Sequence, residues 1–159
     1  SDERFHTNSG DDGAYRLGPI PGGRFVLRAR IDKRLKVLEF DVPANATLQR
    51  DIIFQRPATL SGIVLGVVPS ETSRILLLHG PQTIPEPLDA PGLLGLGELV
   101  VYDEGIGEDG VYAFAEVEPG RYTAVACAWH DPELRGLRYA ARFVTLEEGA
   151  NGTLDFDLR

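Results

Sequence analysis

One stretch of 14 residues occurs twice, and it constrains this chain more than any other feature. Asp12-Gly13-Ala14-Tyr15-Arg16-Leu17-Gly18-Pro19-Ile20-Pro21-Gly22-Gly23-Arg24-Phe25 returns, 97 positions later and without a gap, as Asp109-Gly110-Val111-Tyr112-Ala113-Phe114-Ala115-Glu116-Val117-Glu118-Pro119-Gly120-Arg121-Tyr122. Asp, Gly, Tyr, Gly and Arg are identical at matched positions, and Leu17/Phe114, Ile20/Val117 and Phe25/Tyr122 stay apolar. Each copy reads as a strand, a turn and a second strand. Asp-Gly makes the entry turn, because glycine reaches positive φ without steric cost. Tyr15 and Leu17 alternate with Ala14 and Arg16, the period of a half-buried strand. Pro and Gly then break the run, and Phe25, Leu27, Ala29 and Ile31 line one face of the next strand.

The rest of the chain supports two units. In the first, Asp32-Lys33-Arg34 makes a hairpin turn, Leu38, Phe40 and Val42 alternate toward a core, and residues 47–54 form a last strand; a short strand is expected at 3–8. In the second, strands are expected at 58–65, 73–79, 98–103, 111–115, 121–129, 137–145 and 153–158. Gln55-Arg56-Pro57 is too short for a flexible tether. Residues 80–97 contain four prolines, which excludes a long helix or a central strand, and Leu93, Leu94 and Leu96 make the segment apolar enough to lie on something.

The pattern DG-x-Y followed by spaced apolar residues and G-R-Y resembles the carboxypeptidase regulatory-like domain. Glu118-Pro119-Gly120-Arg121-Tyr122 is the nearer match, and Ala128-Trp129-His130 resembles a common ending of that strand in bacterial members. The resemblance implies an all-β chain of tandem Greek-key-type, transthyretin-like (prealbumin-like) β-sandwich modules of seven strands. Residues 57–159 would be a complete module with an inserted loop at 80–97. Residues 1–56 would be a partial module lacking its first strands, which leans on the second module or on a neighbouring molecule. The CnaB-type relatives of this fold form Lys–Asn isopeptide links, but Lys33 and Lys36 flank a hairpin rather than sitting in a first strand.

No catalytic constellation is visible. His6, His79 and His130 show no metal-ligand spacing, and no nucleophile elbow, P-loop or dinucleotide fingerprint occurs. The carboxylates of 103–109 lack the spacing of a calcium loop and read as a solvated turn. Cys127 is the single cysteine, so no intrachain disulfide forms. The net charge of −8 argues against nucleic acid as the main partner. That charge is uneven: residues 1–56 hold 10 basic and 8 acidic side chains, residues 57–159 hold 6 and 16. No apolar run reaches the roughly 18–20 residues of a membrane-spanning helix. No catalytic residue, metal or cofactor is therefore expected.

The expected working surface is apolar. In the strand 121–129, Thr123, Val125, Cys127 and Trp129 occupy the face that carries Val26, Arg28, Arg30 and Asp32 in the first copy. An apolar outer face marks something that covers it: the first module, the leucine-bearing insertion or an external partner. Val125, Cys127, Trp129, Leu93, Leu94 and Leu96 are accordingly the candidate binding surface. The expected role is that of a non-enzymatic structural or interaction segment of a larger exported bacterial protein, periplasmic, cell-surface or secreted. Its partners would be other domains of that protein or another protein. The alternative is a carbohydrate-binding accessory module with Trp129 as a stacking platform.

Overall fold

A computed structural model describes residues 4–130 and 133–159. The expected strand start at Glu3 and the loop residues Asp131 and Pro132 lie outside the described residues. The chain is all-β, and its secondary structure runs β1 (Gly23–Ile31), β2 (Arg34–Val42), β3 (Ala58–Leu65), β4 (Thr72–His79), a short helix α1 (Ala90–Gly95), a 3-10 turn (Gly97–Leu99), β5 (Val100–Gly105), β6 (Val111–Val117), β7 (Gly120–His130), β8 (Arg135–Leu146), β9 (Asn151–Thr153) and β10 (Phe156–Asp157). Two compact units are present, one of residues 1–28 and 37–52, the other of residues 29–36 and 53–159. The tip of the β1–β2 hairpin thus belongs to the larger unit.

The larger unit is a β-sandwich. One sheet has the order β10-β3-β6, with β9 also beside β3; the other runs β5-β4-β7-β8. Strands β3 and β6 alternate buried and exposed positions along their length. Their inward set, Leu60, Val64, Tyr112, Phe114 and Val117, meets Ile75, Leu77, Ala124, Ala126 and Ala128 from the opposite sheet in one core. Small residues on β7 let the aromatic rings of Tyr102, Phe114 and Tyr122 pack edge-on above them, with centroids 6.0–6.4 Å apart.

Strands β4 and β7 are buried on both faces. The run Ile75–Leu78 therefore has no polar alternate, as expected of a strand covered on each side. The cover on the outer side is the inserted segment. Leu88, Leu93 and Leu96 pack on Leu76, Leu78, Val125 and Cys127 in a second apolar cluster. The segment gains one and a half turns of helix: Asp89 caps it through a 2.8 Å bond from the Gly92 amide, and Pro91 sits in its first turn, where its missing N–H costs nothing.

The last strand, expected unbroken from 153 to 158, is split into β9 and β10. Leu154 leaves the ladder because its carbonyl lies against Gly62, where a Cβ would stand 1.9 Å from the oxygen. The Tyr112 hydroxyl donates to that same carbonyl at 2.5 Å.

The smaller unit differs more from expectation. Strands expected at residues 4–8, 14–17 and 47–54 do not form; among the described residues the only ladder outside the sandwich is the hairpin β1–β2. Alternation marks which side of a segment faces a core, but a ladder also needs a neighbour to take its N–H and C=O groups. The entry turn of the first copy nevertheless repeats that of the second. Asp12 Oδ1 accepts the Ala14 amide and Asp109 Oδ1 the Val111 amide, both at 3.0 Å. The Gly10 and Gly107 amides each donate to the carbonyl four residues on at 2.9 Å. Gly13 and Gly110 share φ 79°, and Gly23 and Gly120, which open the following strand, have φ 148° and 157°.

Candidate functional site

The six residues expected at the working surface are gathered by the structure, but mostly against one another. Val125 and Cys127 are fully buried, and Leu93 and Leu96 lie on them. Trp129 packs against the same cluster with Leu137 and Tyr139. Only Leu94, on the far side of α1, faces solvent, at 74% exposure. The outer face of β7 is therefore covered by the insertion, the second of the three covers the residue pattern allowed. Burial, and secondarily the charge of Asp103, pushes the Cys127 thiol up to about 12. Its Sγ–H points to the Arg74 carbonyl at 3.6 Å. A thiol so placed is a small hydrophobe rather than a nucleophile.

Two buried carboxylates were not singled out from the sequence. Glu118, 3% exposed, begins the turn between β6 and β7. Its Oε2 accepts from Arg34, and its Oε1 accepts the Gln55 amide at 3.0 Å and lies 3.5 Å from the Lys36 ammonium. Its own amide donates to the Tyr102 hydroxyl at 2.9 Å, and the Tyr122 hydroxyl donates to its carbonyl. The Tyr102 oxygen also accepts the Leu35 amide at 3.2 Å. The Arg34 guanidinium lies over the Phe54 ring, 5.2 Å from its centroid. This network fixes the Glu-Pro-Gly turn and the basic hairpin tip. Both carboxylate oxygens of Glu118 are thus engaged by groups of the same unit.

At the other end of the sandwich, Glu71 accepts from Arg138, and its Oε1 lies 3.4 Å from His130 Nε2. The other guanidinium nitrogen of Arg138 donates to the carbonyls of Gly66 and Leu158, both at 2.9 Å. Arg138 thus binds the β3–β4 loop to the last residues of the chain.

A shallow groove of about 650 Å³ opens beside Pro119, lined among others by Gln55, His79, Arg121, Glu147 and Glu148. Part of that set is already used: Glu148 Oε1 accepts the Arg56 amide at 3.1 Å. In the acidic loop, Asp103 pairs with Arg74 at 2.5 Å and Asp109 caps its own turn. Among the described residues, no group of three or more His, Cys, Asp or Glu side chains is arranged to hold a metal ion.

The outward face of β3 and β6 is of another character. Ile63 and Val111 are cross-strand partners, and with Leu65 they are 46–47% exposed. Their outward neighbours are Ser61, Ala113 and Ala115. Among the described residues, strand β6 has a partner on one side only. No family model matches the chain, and no curated protein matches it significantly.

Proposed function

We propose that this chain is a non-catalytic interaction and spacing segment, built of modules of the carboxypeptidase regulatory-like kind, in a larger exported bacterial protein. One observation carries the reading: the outward side chains of β3 and β6 include three exposed apolar residues, Ile63, Leu65 and Val111, with the polar Ser61, Glu116 and Asp155 nearby, beside an edge of β6 that has no partner strand among the described residues. Exposed apolar surface rimmed by polar residues marks protein contact, and an open edge strand offers unpaired amides and carbonyls to a partner. The buried carboxylates and the thiol have structural partners, which supports the reading. Glu118 and Glu71 hold turns and chain ends together, and Cys127 is sealed under the insertion. The partner of this face is another domain of the same protein or a second protein.

The test is association in trans. The remaining domains of the parent protein, purified separately, are titrated into this chain in a calorimeter. Binding that Ile63→Lys and Val111→Lys each weaken at least tenfold, with melting temperature kept, supports the reading. Binding indifferent to both substitutions overturns it. A glycan array that retains the wild type but not Trp129→Ala overturns it in favour of carbohydrate recognition.

A further inference from the structure

Strand β8 closes one side of the sheet β5-β4-β7-β8, and among the described residues no strand lies on its other side. On the face where the insertion packs it carries Leu137, Tyr139, Ala141, Phe143 and Thr145. Tyr139, Ala141 and Phe143 stand opposite Cys127, Val125 and Thr123 of β7. Leu137 and Tyr139 lie against the insertion's apolar cluster. Farther along the strand Ala141 is exposed, and Phe143 is 69% exposed. Long edge strands are ordinarily guarded by proline, lysine or an edge charge. Residues 137–146 contain neither proline nor lysine. The two arginines of that stretch serve their own unit: Arg138 donates to the carbonyls of Gly66 and Leu158, and Arg142 donates to that of Asp155 at 3.1 Å.

We infer that the free edge of β8 pairs with the same edge of a second copy of this chain, in a two-fold dimer whose axis passes Ala141. The order of residues along the strand is self-complementary in that register. Antiparallel pairing about Ala141 sets Tyr139 of each copy opposite Phe143 of the other, so two aromatic pairs flank a small side chain on the axis; such cross-strand pairs are favourable. Arg138 falls opposite Val144, and Ala140 opposite Arg142, so no two charges of one sign face each other. Moving the centre to Ala140 would set Arg138 against Arg142 twice, and centring on Arg142 would set that guanidinium against its own copy. Like charges directly opposite are destabilising. Slips of two residues leave one aromatic of each copy outside an aromatic pair. The flanking charges fit the same arrangement. Arg135 at the start of β8 comes to Glu147 just past its end, once at each end of the seam. The seam lies on the other sheet from Ile63 and Val111 and does not depend on the reading of that face.

Sedimentation velocity of the full chain from about 1 µM to about 1 mM is expected to show a reversible monomer–dimer equilibrium, weak because a single strand seam is small beside a standard interface. Ala141→Lys puts two ammonium groups face to face on the axis, and Phe143→Lys removes both aromatic pairs. Each is expected to weaken the dimer about tenfold with melting temperature kept, since both positions are exposed. The register is read by oxidation. Residues directly opposite hold their Cβ atoms about 4.5–5.5 Å apart, close to the spacing of a disulfide. Ala141→Cys is expected to cross-link to itself. Tyr139→Cys is expected to cross-link to Phe143→Cys in a mixture, and neither to itself. A chain still monomeric at millimolar concentration, or a dimer that keeps its strength in both lysine variants, overturns the inference. So does a dimer lost with Ile63→Lys but not with Ala141→Lys, or a Phe143→Cys chain that cross-links to itself more than to Tyr139→Cys.

Discussion

Glu118 and Arg34 meet as a charge-assisted pair whose carboxylate side chain is 4% exposed and whose guanidinium is 16% exposed. Removing one partner of such a pair leaves the other charge withdrawn from water. Glu118→Ala is expected to cost about 3–5 kcal/mol, visible as a lower midpoint in urea. Replacing both partners with apolar residues of similar volume is expected to recover most of that loss. A double variant no more stable than the single one would show that the pair contributes attraction beyond the relief of a stranded charge.

Gly62 and Tyr112 make a second coupled pair. Gly62→Ala drives a methyl into the Leu154 carbonyl at 1.9 Å, a backbone atom that moves only if the break between β9 and β10 moves with it. The expected loss is at least 3 kcal/mol, from overpacking of a kind that costs about 1–3 kcal/mol even in side-chain cores. Tyr112→Phe keeps the ring and loses only the hydrogen bond, an expected cost of about 1 kcal/mol. Equilibrium unfolding of the two variants checks the ratio.

Leu93 and Leu96 cover Cys127, whereas Leu94 points to solvent. Leu93→Ala and Leu96→Ala are expected to cost about 2–4 kcal/mol each and to speed reaction of the thiol with a disulfide reagent at pH 8. Leu94→Ala is expected to change neither quantity. Labelling of the wild type should become fast only where urea unfolds the protein, because burial keeps the thiol protonated in the folded chain.

Alkali is expected to unfold this protein through groups held in their neutral form. Burial pushes the Cys127 thiol from 9.0 up to about 12 and, with help from the charge of Asp155, the Tyr112 phenol from 10.0 up to about 12. Burial, with Tyr102 and Glu118 adding to it, raises the Tyr122 phenol further still. The unfolded chain loses these protons from about pH 9–10, while the folded chain keeps them. Stability is therefore intact below pH 9 and falls, by about 1.4 kcal/mol per pH unit for each group, as pH rises toward 12. Urea titrations at stepped pH should show that slope, and Cys127→Ala should remove the part of it that begins near pH 9.

Residue pattern located the seven strand segments of the sandwich because each has its own alternation or its own apolar run. The break at Leu154 was not legible, since it depends on Gly62, a residue 92 positions away. The helix start at Asp89-Ala90-Pro91 was written in the sequence as a cap followed by an N-terminal proline, but the four prolines of 80–97 directed attention to what the segment excludes. Glu118 drew notice only as part of a turn motif. The missed signal was a carboxylate in an otherwise apolar turn, with the basic tip Lys33-Arg34-x-Lys36 available to meet it. In the first copy, alternation at Tyr15 and Leu17 promised a strand that does not form, because periodicity describes faces and says nothing of the neighbour a ladder requires.

Strands β9 and β10 run parallel to β3 and lie directly beside it, although β3 begins the segment 58–159 and β10 ends it. Tension applied at residues 58 and 159 therefore drags these strands in opposite directions along their common axis. All the hydrogen bonds joining them are loaded together in shear, and none can open singly as in a zipper. Arg138, gripping the carbonyls of Gly66 and Leu158, adds a lock at the pulled end. Extending this part of the chain from those two residues would have to break these bonds together.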